Sequence, residues 1–88
     1  MNLLPLLHKL TKQDRDNIWF AVWQLRPDKR FMLANYGKTP GIGLLNLDEV
    51  IIVLGEAQSQ LPDGAANTTI SNLQILRDRV EEQAAKAG

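Results

Sequence analysis

Eighty-eight residues without a single cysteine leave this chain no covalent staple. His8 is the one histidine, so a structural zinc site has no ligand set either. Domains near this size bury only about 60–65% of their unfolded surface, and natural ones often add disulfides, metals or self-association. With the first two removed, stability must come from a well-filled helical core, from oligomerisation, or from both. The chain reads as one domain, residues 1–88, with no metal and no cofactor expected.

Apolar spacing then selects the fold class. Thr11 and Asp14 stand three apart, like a capping box with Asp in place of the usual Glu. Ile18, Ala21, Val22 and Leu25 follow at helical spacing, and Arg26-Pro27 stops the helix because the residue before proline is pushed out of the α region. A second start lies at Asn46 and Glu49, with Asp48 and Glu49 suited to the positive end of a helix. Leu47, Val50, Ile51, Leu54, Ala57 and Leu61 then share one side of a 3.6-residue period, while Ile52 and Val53 fall off it. The run VIIVL also fits a buried strand, but EAQSQL carries the pattern beyond strand length. Ser71 with Gln74 gives a third start, followed by Leu73, Leu76, Val80, Ala84 and Ala87. Arg77–Glu81 and Glu82–Lys86 are favourable pairs four apart.

The expected fold is therefore all-α: a small bundle of three main helices, about 12–25, 47–61 and 71–87. A short N-terminal helix capped by Asn2 precedes them, with Pro5 tolerated in its first turn. Residues 30–36 add a helical turn. Residues 37–43, with three glycines and a proline, read as a loop, and so do Pro62-Asp63-Gly64 and the small polar residues up to Thr69.

Charge is balanced overall but split along the chain. Residues 1–40 carry Lys9, Lys12, Arg15, Arg26, Lys29, Arg30 and Lys38 against Asp14, Asp16 and Asp28. Residues 41–88 carry Arg77, Arg79 and Lys86 against Asp48, Glu49, Glu56, Asp63, Asp78, Glu81 and Glu82. The halves are thus +4 and −4, which favours their packing together within a chain or between chains; alternatively, the charges are merely solvated on their own helices. No run approaches the roughly 20 apolar residues of a membrane-spanning helix. The opening MNLLPLLHKL lacks a basic residue before its apolar stretch and is broken by Pro5, so it does not read as a secretory signal. A cytoplasmic protein is expected, and Asn67-Thr68-Thr69 then matches a glycosylation acceptor by chance.

Catalytic patterns fail one by one. Gly37-Lys38-Thr39 copies the end of a P-loop, but the position five before Gly37 is Met32 rather than glycine, and Pro40-Gly41 follow where a helix should open. His8 sits on an apolar stretch with no nucleophile motif beside it. Asp78 and Glu82 share a helix face, but Arg77, Arg79 and Lys86 around them make a salt-bridged surface. No enzymatic activity is expected.

The aromatic helix is more informative. Ile18 to Trp23 is apolar for six consecutive residues, well over one turn. Trp19 and Trp23 stack along the flank of the core face, and Phe20 points roughly the other way. Either this surface meets another protein, or the N-terminal segment folds over it. Exposed aromatics beside arginine favour an interface, which makes Trp19, Phe20 and Trp23 anchors, Arg26, Lys29 and Arg30 a charged rim, and Ile52 and Ile75 secondary contacts. Gly55 admits a close backbone approach at a helix cost of about 1 kcal/mol. The expected function is a non-enzymatic protein–protein interaction module, an adaptor, regulator or assembly factor that self-associates. The alternative is a small nucleic-acid-binding regulator using the basic first half, since aromatics among basic residues stack bases and hold phosphates; Asp28 and the acidic second half count against it.

Overall fold

The computed structural model describes residues 1–87. Among them the fold is all-α: five α-helices and three short 3-10 segments, with one isolated antiparallel bridge between Asn2 and Asn46. Helix α1 spans Lys12–Leu25, α2 Arg30–Asn35, α3 Lys38–Gly43, α4 Leu47–Glu56 and α5 Ala65–Ala87.

Local chemistry sets both ends of α1. The Thr11 hydroxyl accepts from the Asp14 N–H at 3.1 Å, and the Asp14 carboxylate accepts in return from the Thr11 N–H at 3.5 Å. Arg26 leaves helical backbone geometry ahead of Pro27. At α4 the Asn46 side chain accepts from the N–H groups of Asp48 and Glu49, at 2.9 and 3.2 Å, so the VIIVL run is helix. Helix α4 packs against both α1 and α5. Its core face is therefore wider than one stripe, and Val53, expected off that face, is buried beside Val50 and Leu54. Ile18, Ala21 and Val22 from α1 meet them, with Leu73 and Leu76 from α5 and Leu3, Leu6 and Leu10 from the N-terminal segment.

Four boundaries differ from the sequence expectation. The N-terminal segment is a 3-10 helix, Leu4–Lys9, preceded by Leu3 with no side-chain cap; Asn2 instead bridges to Asn46. The segment 37–43 is not a loop. After Gly37, whose φ of 77° suits glycine, α3 runs through Pro40 because proline in a first turn removes only an N–H that has no helical partner. Helix α4 stops at Glu56, and the rest of the expected span becomes a 3-10 turn, Gln58–Gln60, before an extended Leu61. Helix α5 starts six residues early, so Ser71 and Gln74 are helix interior and cap nothing.

Helix α5 is also longer than the body it packs on. At 1.5 Å per residue it spans about 34 Å, and residues 81–87 are all exposed. Ala84 and Ala87 thus continue the core stripe without meeting the core. Glu82 and Lys86 pair at 3.1 Å as expected, but Arg77 reaches Asp48 at 3.2 Å and Asp78 at 3.9 Å rather than Glu81.

Candidate functional site

The six-residue apolar run places Trp19 and Trp23 along one flank of α1, beside its core face. Trp19 and Trp23 are one turn apart, and their rings stack with centroids at 5.0 Å and planes 9° apart. Each ring shields the other's inner face, and a cation lies over each: Lys38 Nζ is 5.5 Å from the Trp19 ring centroid, and the Arg30 guanidinium 5.4 Å from that of Trp23. Arg30 is fixed further by donating from Nε to the Trp23 carbonyl at 2.6 Å, one of the carbonyls left without a helical partner at the end of α1. The N-terminal segment packs on α3 and α5. Cover for the tryptophans comes instead from the polar residues of α2 and α3.

All three aromatics remain half-buried. Trp19 and Trp23 rest against the core, whereas Phe20 lies outside it. Phe20 and Trp19 line an open groove of about 320 Å3 together with Leu61, Pro62, Asp16 and Lys38. Lys38 was absent from the expected site because its segment read as a loop, and Leu61 because its spacing read as helix. Nothing local in the sequence joins residue 61 to residue 20.

The remaining predicted residues fall elsewhere. Arg26 is not a free rim charge: it pairs with Asp28 at 2.8 Å and with Glu49 across the α1–α4 seam, and these carboxylates hold its guanidinium well above the usual arginine range. Lys29 lines a small void in that seam with Val22, Arg26, Glu49 and Val53. Ile52 stands out from α4 at 61% exposure. Ile75, half-exposed on α5, borders a separate groove with Lys9, Thr11 and Arg79. The two halves of opposite charge are joined, among the described residues, by one ion pair, Arg26–Glu49.

A second cluster escaped the sequence reading. Asp14, 3% exposed, accepts from the Thr69 hydroxyl at 2.8 Å and from Asn72 Nδ2 at 3.0 Å. Thr69 in turn accepts from Asn17 Nδ2 at 3.1 Å, and Asn17 accepts from Gln13 at 2.9 Å. No buried side-chain polar atom among the described residues lacks a partner. This network ties the start of α1 to the first half of α5, so its chemistry is structural.

Asp16 links the groove to pH. Lys38 at 2.7 Å and Lys12 at 3.0 Å hydrogen-bond its carboxylate and hold it below the usual carboxylate range, Lys38 contributing most. A lowered folded-state value contributes stability above the ordinary range, and the contribution is lost as pH falls through the lowered value. Acidification to below the ordinary carboxylate range should therefore release Lys38 from Asp16 and change the emission of Trp19. An Asp16→Asn protein, already uncharged there, should lack that step in a fluorescence titration; an identical titration in both proteins would refute the assignment.

No helix among the described residues is long and apolar enough to cross a membrane. The chain matches no family model, and comparisons with curated proteins and with solved structures find none similar.

Proposed function

We propose that this chain is a non-enzymatic protein–protein interaction module of the adaptor, regulator or assembly-factor kind, with the groove on α1 as its principal contact. The observation that carries this reading is the half-open aromatic surface of Trp19, Phe20 and Trp23. The stacked pair is held by Lys38 and Arg30 before any partner arrives, so little side-chain freedom is lost on binding. Fixed aromatics edged by charges are the composition of interface hot spots. Phe20 is the anchor, because the core does not use it.

The nucleic-acid alternative has weaker support. Base stacking needs an open π-face; the two tryptophans are taken by each other and by a cation each, which leaves the exposed Phe31 and Tyr36 for that role. Arg26, a main phosphate candidate, is engaged by two carboxylates.

Light scattering on protein purified from its own cells, with identification of what co-elutes, tests the reading. The expected result is a complex that Phe20→Ala weakens more than tenfold, an anchor truncation costing about 2 kcal/mol, while helix content is unchanged. A complex indifferent to Phe20→Ala, or a chain that elutes alone, would remove the proposal. Absorbance rich in nucleic acid, with affinity falling steeply in salt, would replace it by the alternative.

A further inference from the structure

Four of the five glycines in the described residues have a reason inside the fold. Gly37 and Gly64 have positive φ, and a Cβ on Gly41 or Gly43 would meet Leu33 or Leu7 closer than 3.0 Å. Gly55 has none: a Cβ there would meet nothing within 4 Å. A helix-weakening residue in the last turn of α4, with nothing within 4 Å of where its side chain would stand among the described residues, leaves bare backbone open to another chain.

Its surroundings define what fits. Ile52, at 61% exposure, lies one turn before it on the same face. Asp48 and Glu56 flank Ile52; Asp48 shares its charge with Arg77, and Glu56 has no cation within ion-pair distance among the described residues. The negative end of α4 adds to this potential. The surface therefore suits an apolar side chain accompanied by a cation.

The chain carries such a group itself. Phe31, 58% exposed, is the second residue of α2, just after Arg30 and Lys29, and Lys29 has no ion pair among the described residues. Lys29 and Glu49 line one small void, and Glu49 lies two turns before Glu56 on the same side of α4, so Lys29 and the acidic patch border one seam. A two-fold rotation can then place each patch against its complement and close the assembly. The +4 and −4 halves, joined internally by one ion pair, supply the complementarity.

We propose that this face docks a second copy of the chain, Phe31 and Lys29 of one protomer seating against Ile52, Gly55 and Glu56 of the other. The proposal rests on the chain being an interaction module, but it uses none of the groove around Phe20.

Sedimentation equilibrium of the full chain over a concentration series tests it. A dimer is expected whose dissociation constant rises about tenfold between low and high salt. Gly55→Leu and Phe31→Ala should each give a helical monomer. Gly55→Ala should weaken the dimer while raising the thermal midpoint of the chain. Glu56→Lys should break the dimer, and Lys29→Glu added to it should restore association. A monomer throughout, or a dimer unmoved by Gly55→Leu and Phe31→Ala, overturns the proposal. A dimer lost with Phe20→Ala yet kept by those two variants overturns it as well and leaves the groove reading standing.

Discussion

Replacing Asp14 by alanine is expected to destabilise the protein by about 2–4 kcal/mol. Two losses combine. The capping box at the start of α1 keeps only the Thr11 half of its exchange. More costly, the Thr69 hydroxyl and the Asn72 amide lose their acceptor at a contact where Thr69 is wholly buried. A donor stranded away from water costs the full desolvation of that group. For a domain of this size the loss corresponds to a fall in Tm of about 10–25 °C, against a total stability of about 5–15 kcal/mol. Thr69→Val keeps the shape and removes the hydroxyl, leaving Asn17 without its acceptor, and should cost about 1–3 kcal/mol. Because both substitutions break one network, the double variant should lose about 1 kcal/mol less than the sum of the singles. Urea unfolding of the four proteins measures this. Additive losses, or an Asp14→Ala protein as stable as the parent, would mean that the cluster is not what holds α1 to α5.

That network also explains what the sequence concealed. Thr11–Asp14, Asn46 and Arg26-Pro27 act within four residues of themselves, so the ends of α1 and the start of α4 are legible. Thr68 and Thr69 read as loop and Ser71 as a helix cap because hydroxyl residues compete locally for the backbone, but Thr69 spends its hydroxyl on Asp14, 55 positions away. Val53 looked peripheral because one helix stripe was counted, whereas α4 lies against two neighbours. The candidate site divides in the same way. Stacking of Trp19 on Trp23 follows from their spacing of four. Arg30 over Trp23, Lys38 over Trp19 and Leu61 beside Phe20 depend on where α2, α3 and the chain after α4 return. Local propensity carries no information about those returns.

The glycines of α3 allow the sharpest test of that distinction, because one substitution at two nearby positions should be costly at the first and nearly neutral at the second. In both places alanine gains about 1 kcal/mol of helix preference over glycine. At Gly41 the new Cβ would lie 2.9 Å from the Leu33 Cα and 3.0 Å from the Met32 carbonyl oxygen. Both obstacles are backbone, so α2 and α3 must move apart. At Gly43 the obstacles are the Leu7 and Leu4 Cδ1 atoms, at 2.8 and 3.2 Å. These are ends of flexible side chains; Leu4 is exposed and Leu7 half-exposed, and a rotamer change relieves both. Overpacking against backbone exceeds the helix gain, and Gly41→Ala should cost about 2 kcal/mol net. Gly43→Ala should fall within about 0.5 kcal/mol of the parent, where gain and strain nearly cancel. Separation of α2 from α3 would also move Lys38 relative to Arg30, the two cations over the tryptophan stack. Gly41→Ala alone should therefore alter tryptophan emission in the folded state, before any denaturant is added. Equal stabilities and equal spectra for the two variants would show that residues 38–43 are not packed on α2 as a helix, and the preformed aromatic surface would lose its support.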